Sequence, residues 1–303
     1  MSLDFALERI KAYITMYIKE CENPLVTHQA AQLSQGKMLR SKLLLSISGV
    51  SDEALRVCAF IEMIQSASLL HDDVIDEAQT RRGSPSINAQ FGNKNAIMLG
   101  DVLYSKAFYE LSVLDSRLAQ SVSSAVVRLS IGEIEDVNLS SSFHTDMRRY
   151  LKMCADKTAA LIVAAAECGA ILKGLNKNLY KIYGENLGIA FQIIDDILDI
   201  TQDSKQLGKP AMSDFSEGKS TLPYMLLFEA LDSKGREELL QCYGRILSEQ
   251  EQGYIRAQMQ RHNIISQALE YARSYANKAR EAVANEGNAR LLEIITQMTE
   301  RSF

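Results

Sequence analysis

Two acidic boxes, Asp72-Asp73-Val74-Ile75-Asp76 and Asp195-Asp196-Ile197-Leu198-Asp199, carry the most legible chemistry of this chain. Both read DDxxD, and each follows an apolar stretch with helical periodicity. Residues four apart share a helix face, so Asp72 points with Asp76 and Asp195 with Asp199. Two such pairs facing each other across a cavity would hold several hard cations through oxygen. Mg2+ suits this role because it accepts one or two carboxylates, keeps waters and draws its other ligands from phosphates. A single box would read as a solvated acidic helix face; a duplicate in a second apolar setting argues against that.

Basic residues near the boxes extend the argument. Arg81-Arg82-Gly83-Ser84-Pro85 follows the first box, and guanidinium forks match phosphate oxygens. Taken alone, the two arginines would be equally well explained as cations favoured at a helix C-terminus. The segment from Gln202 to Pro223 follows the second box and holds Gly208-Lys209-Pro210 and Gly218-Lys219, the composition of a mobile lid carrying cations onto an anion. Lone loop lysines are more often solvated. Lys157-Thr158 lies in an alanine-rich helix, where a buried lysine needs a partner. His71, beside Asp72, reads as a hydrogen-bonded neighbour rather than a ligand, and Glu133 and Asp136 read as structural. The four histidines (His28, His71, His144, His262) have no nucleophile context, and no glycine-rich phosphate loop occurs. Metal-assisted loss of diphosphate from an allylic carbon needs neither nucleophile nor side-chain base.

The elements that must position these groups are helices. Only four prolines occur (Pro24, Pro85, Pro210, Pro223), leaving long proline-free runs with three- and four-residue apolar spacing. The reading is all-α: a single-domain bundle of long antiparallel helices around a deep central cavity, spanning 1–303. One helix is expected over Asp52–Glu77 with Ser51 or Asp52 as its cap, one over Asp146–Leu172, and one over Lys181–Ile200, where Gly188 and Ala190 leave room for a neighbour or ligand. With 47% hydrophobic and 23% charged residues the chain has a globular composition, and its net charge of −5 leaves no nucleic-acid footprint. Cys21, Cys58, Cys154, Cys168 and Cys242 show no paired spacing, which suits a reducing compartment. Neither a signal-peptide core nor a membrane span is legible, so the expected location is cytoplasmic, with any membrane contact peripheral.

These motifs, in this order, resemble those of the trans-isoprenyl diphosphate synthases (polyprenyl synthetases) over almost the whole chain. Leu69-Leu70-His71-Asp72-Asp73-Val74-Ile75-Asp76 with Arg81-Arg82-Gly83 resembles the family's first aspartate-rich motif. Phe191-Gln192-Ile193-Ile194-Asp195-Asp196-Ile197-Leu198-Asp199, with Gly208-Lys209-Pro210 and Gly218-Lys219-Ser220-Thr221-Leu222-Pro223, resembles the second. The resemblance implies a homodimer with three Mg2+ ions. Asp72 and Asp76 would bind two of them and Asp195 the third, Asp199 reaching the hydration shell. It implies that Arg81, Lys157, Thr158, Gln192, Lys209 and Lys219 contact the allylic diphosphate, and that Lys37, Arg40, Gln65 and Arg82 hold isopentenyl diphosphate. The N-terminal basic motif departs from the family pattern: Gln35-Gly36-Lys37-Met38-Leu39-Arg40-Ser41 keeps the second glycine, the lysine and the final arginine.

Product length follows from the helix before the first box. Short-chain members block the level of Ala67 and Ser68 with aromatic residues, whereas here both are small. One turn adds about 5.4 Å of depth, comparable to one isoprene unit. A long-chain product of the kind used for quinone side chains is expected, from a farnesyl or geranylgeranyl diphosphate starter, with Val126–Ile134 as a candidate floor. The competing readings are a short-chain farnesyl or geranylgeranyl synthase, a terpene cyclase, a non-catalytic subunit of a heteromeric synthase, and a helical scaffold. The second box and second basic set oppose the cyclase, and the complete aspartates oppose the silent subunit.

Overall fold

A computed structural model describes residues 2–34, 36–202 and 211–299. Among these residues the chain is helical apart from one pair of two-residue strands, as the all-α reading expects. The order is α1 (Leu3–Lys19), α2 (Pro24–Ala30), α3 (Leu39–Ser48), α4 (Asp52–Ile75), β1 (Thr80–Arg81), β2 (Ser84–Pro85), α5 (Ile87–Phe91), α6 (Asn93–Leu114) and α7 (Ser116–Leu139). Then follow α8 (Met147–Cys154), a π-helical turn (Ala155–Ala159), α9 (Ala160–Lys173), α10 (Lys177–Thr201), α11 (Ser213–Ser216), α12 (Leu222–Ala230), α13 (Ser233–Gln241), α14 (Glu249–Arg261), α15 (Ile264–Ala282) and α16 (Ala289–Thr299). These elements group into two compact units. The first comprises Met1–Val126, Leu161–Ile182 and Asn288–Leu291; the second comprises Val127–Ala160, Tyr183–Gly287 and Leu292–Phe303.

In the first unit α4 is the central helix. It begins where Ser51 accepts from the Ala54 amide at 3.1 Å, and Asp52 and Glu53 add charge favourable to the dipole. Leu55, Val57, Phe60, Ile61, Met63 and Ile64 are all buried, so the helix is covered on nearly every side, by α1, α3 and α6. Each such side chain contributes roughly 1.5–3 kcal/mol on burial. The helix stops inside the first acidic box. Ala78 N donates to Asp73 O (2.9 Å) and Glu77 N to Val74 O (3.4 Å), a Schellman closure with Glu77 at φ +51° in the left-handed position. The expected span to Glu77 therefore ends two residues earlier, at Ile75.

The second unit has two neighbouring cores. Tyr150, Ile193, Ile197, Leu222 and Met225 form one; Phe215, Tyr224, Leu239, Ile255 and Met259 form the other. Ala268 and Ala272 of α15 join the first and allow close helix approach. The helix expected over 146–172 is broken by the turn at Ala155–Ala159. The cause lies on neighbouring helices. A Cβ on Gly132 of α7 would lie 2.3 Å from Lys157 N, and one on Gly188 of α10 would lie 2.4 Å from Ala159 Cβ. The wider turn lies directly against both glycines. Arg128 completes it by donating from Nη2 to Ala155 O (3.1 Å) and from Nε to the buried Asp156 (2.9 Å).

Candidate active site

In the first unit the acidic box is sorted by burial. Asp73 is 4% exposed and accepts from Arg81 Nε at 2.8 Å, with a second, shorter bond from Nη2. Asp72 and Asp76 stay half-buried on the remaining face. Burial would lower the Arg81 pKa, but Asp73, with Asp72 and Asp76 behind it, more than offsets this. The arginine is thus electrostatically bound to the whole box. It sits in a hairpin rather than at the helix end: Arg81 pairs with Ser84 across the two-residue turn Arg82-Gly83, whose φ angles are +54° and +76°. Positive φ at both turn positions matches a tight hairpin loop, and Arg81 and Arg82 both line one cavity. His71 lies with Nε2 3.2 Å from Ile97 O and 3.6 Å from Asp101 Oδ1, a hydrogen-bonded neighbour as expected.

Arg82 Nη1 donates to Ser34 O at 2.8 Å, and its guanidinium covers Gly36, where a Cβ would lie 2.9 Å from Nη2. The one glycine kept from the family's basic motif is thus the one on which Arg82 lies. Beside it is a cavity of about 440 Å³, lined among others by Lys11, Lys19, Gln65, Leu69, Arg81 and Arg82. Gln65 Oε1 is buried in its wall with no hydrogen-bond partner, so this oxygen has capacity to accept from a donor. Arg40 is half-buried in the first turn of α3, and Lys37 is exposed just before it. Met38 gives α3 no side-chain cap, and Glu62 of α4 supplies one instead, accepting from Ser41 Oγ (2.7 Å) and Ser41 N (3.3 Å). Ala67 and Ser68 are 0% and 3% exposed, and the Ser68 hydroxyl is satisfied by Gln65 O at 2.9 Å.

In the second unit one hydrogen-bonded chain joins two of the expected residues, Thr158 and Gln192, to the second acidic box. Thr158 Oγ1 donates to Gln192 Oε1 (2.5 Å), Gln192 Nε2 donates to Asp196 Oδ1 (2.8 Å), and Tyr150 OH donates to Asp196 Oδ2 (2.5 Å). Burial, then Asp214, pushes the Asp196 carboxyl well above its usual range. Asp196 is therefore the counterpart of Asp73, while Asp195 stays half-buried. Asp199 is 2% exposed and accepts from Ser213 Oγ (3.0 Å) and Asp214 N (3.2 Å). Lys157 finds its partners in Glu133 (2.7 Å) and Asp136 (2.6 Å). Both carboxylates are 7% exposed. In sequence they read as structural; the signal is an acidic pair three apart after Gly132, on the face of α7 that meets the π-helical turn. Lys219 pairs with Glu217 at 2.7 Å, and Lys209 lies outside the described residues.

Asp72 and Asp76 in the first unit, and Asp195 in the second, are carboxylates that keep partial exposure and offer the oxygen donors hard cations take, whereas Asp73 and Asp196 are committed to internal partners. No helix among the described residues is long and apolar enough to cross a membrane.

The polyprenyl synthetase sequence pattern matches residues 23–259. The crystal structure of octaprenyl pyrophosphate synthase from Helicobacter pylori is 44% identical, with a TM-score of 0.94 over 99% of this chain and 100% of that one. A polyprenyl synthase from Caulobacter crescentus, crystallised with calcium and isoprenyl diphosphate, is 28% identical, with a TM-score of 0.91 over 98% and 95% of the two chains. The short chain isoprenyl diphosphate synthase of Methanothermobacter thermautotrophicus is 37% identical over 222 residues, 69% of this chain and 68% of that protein. Fold and site together define an all-α prenyltransferase. The chain belongs to the polyprenyl synthetase family, and the long-chain reading fits its full-length likeness to an octaprenyl enzyme.

Proposed function

We propose that this enzyme condenses isopentenyl diphosphate with an allylic diphosphate, farnesyl or geranylgeranyl, to build a long trans-polyprenyl diphosphate of the quinone side-chain type. The observation that carries the reading is the basic cavity in the first unit, where Arg82 and Gln65 adjoin an arginine tied to the first acidic box. Gln65 and Arg82, with Lys37 and Arg40, hold the isopentenyl diphosphate. Arg81, Lys157, Thr158, Gln192, Lys209 and Lys219 hold the allylic diphosphate. Asp72, Asp76 and Asp195, with Asp199 behind them, would hold three Mg2+ ions, which supply Lewis-acid stabilisation of the leaving diphosphate. Calcium with isoprenyl diphosphate in the Caulobacter crescentus enzyme supports a divalent, oxygen-ligated site.

The protein's own contribution is positioning and charge. Asp73 fixes the Arg81 fork, and Glu133 with Asp136 fixes the Lys157 ammonium, so cations meet the allylic diphosphate without reorganising. The allylic C1–O bond breaks, the isopentenyl double bond attacks the cation, and the proton lost from the adjacent carbon passes to the departing diphosphate. Small residues at Ala67 and Ser68 leave depth for the growing chain. A short-chain product is the second reading, favoured by the Methanothermobacter thermautotrophicus relative. Sizing the products made from labelled isopentenyl diphosphate separates the two.

A homodimer belongs to the same proposal. Val127, Ile131, Ile134 and Val137 are 59%, 52%, 71% and 53% exposed at helical spacing on α7, an apolar stripe suited to a second copy. A cytoplasmic location, with peripheral membrane contact for product release, completes the reading.

A further inference from the structure

We propose that Tyr243 is a positioning residue for Lys219: its hydroxyl pins the turn that carries this lysine and ties it to the second acidic box. Tyr243 follows α13 and is remote in sequence from every motif above. Its hydroxyl donates to Gly218 O and accepts from Ser220 Oγ at 3.2 Å, so it holds the residues on both sides of Lys219. Ser220 Oγ in turn accepts from His144 N at 3.2 Å. Gly218 stands at φ +82° with its Cβ position 2.9 Å from Ser140 O, a place only glycine fills without strain.

Between these anchors, Lys219 N donates to Asp214 O (2.8 Å), and Asp214 N donates to Asp199 Oδ2 (3.2 Å). A continuous path therefore runs from the Asp199 carboxylate through Asp214 to the Lys219 backbone and on to Tyr243. The tyrosine ring is itself fixed edge-on by Phe143 and Phe215, with centroids 5.4 and 5.3 Å away. Such bracing exceeds what a solvated loop lysine requires. Its consequence is that the Lys219 side chain, which pairs with the exposed Glu217, leaves a rigid root from which to reach a ligand oxygen.

The inference rests on the reading of Lys219 as an allylic diphosphate contact, and the test separates the two. Steady-state kinetics and melting temperatures are compared for Tyr243→Phe, Ser220→Ala, Lys219→Gln and the double variant Tyr243→Phe/Lys219→Gln. Losing the pinning bond is expected to raise KM for the allylic diphosphate about fivefold, the equivalent of one neutral hydrogen bond. KM for isopentenyl diphosphate and kcat stay near wild type in Tyr243→Phe, Ser220→Ala shifts the same constant, and Tyr243→Phe adds little once Lys219 is glutamine. A parallel decline of kcat, both KM values and melting temperature would make Tyr243 merely structural and overturn the proposal, as would an unchanged allylic KM in Tyr243→Phe. If Lys219→Gln itself leaves the allylic KM unchanged, the reading of Lys219 is wrong and the proposal falls with it.

Discussion

Within each acidic box, burial divides the aspartates into two kinds. Asp73 and Asp196 are nearly inaccessible and spend their oxygens on Arg81 and on Tyr150 with Gln192. Asp72, Asp76 and Asp195 keep an exposed edge. Asp73→Asn is therefore expected to lower stability by about 1–3 kcal/mol and to raise the allylic KM through a loosened Arg81. The Mg2+ concentration for half-maximal rate should not move; a marked shift would show that Asp73 is itself a ligand. His144 gives a pH prediction. Burial, then Arg149, lowers its pKa, and its Nδ1 accepts from Asp146 N at 3.3 Å, which fits the neutral ring. The unfolded chain then binds the proton more readily than the folded one, so stability falls as pH drops through 6.5 and below. Melting curves across that range should show a shallower acid slope for His144→Gln than for wild type.

Among the elements, the π-helical turn decides where Lys157 and Thr158 go. It depends on Gly132 and Gly188, neither of which has room for a methyl group. Gly132→Ala should cost about 1–3 kcal/mol by overpacking and should reduce kcat/KM for the allylic substrate more than for isopentenyl diphosphate. Equal effects on both substrates would mean that the turn does not serve one of them. The sequence made α4 legible to within two residues, because Ser51 or Asp52, the apolar run and the acidic box bracket one uninterrupted period. It hid the π-helical turn, because one extra residue in a proline-free, alanine-rich helix leaves no mark of its own. The marks lie on α7 and α10, far away in sequence. The Arg82-Gly83 hairpin was hidden in a similar way: adjacent arginines suggest a helix end, and only the positive φ at Arg82 and Gly83 reveals a tight turn. The acidic partners of Lys157 and the Glu62 cap on α3 are long-range pairings of the same kind.

At the scale of the molecule, likeness to an octaprenyl enzyme over 99% of the chain agrees with what small residues at Ala67 and Ser68 suggest about product length. Ala67→Tyr should shorten the product while leaving the first condensation intact; an unchanged product would remove the shaft argument. Ile134→Lys should shift the protein toward monomer in sedimentation, since it places a charge in the apolar stripe of α7. The most direct measurement of the central claim is to incubate the purified protein with labelled isopentenyl diphosphate, Mg2+ and farnesyl or geranylgeranyl diphosphate, and to size the products by mass spectrometry. The account predicts Mg2+-dependent polyprenyl diphosphates extended by several isoprene units beyond the starter. No elongation with any allylic starter would contradict it.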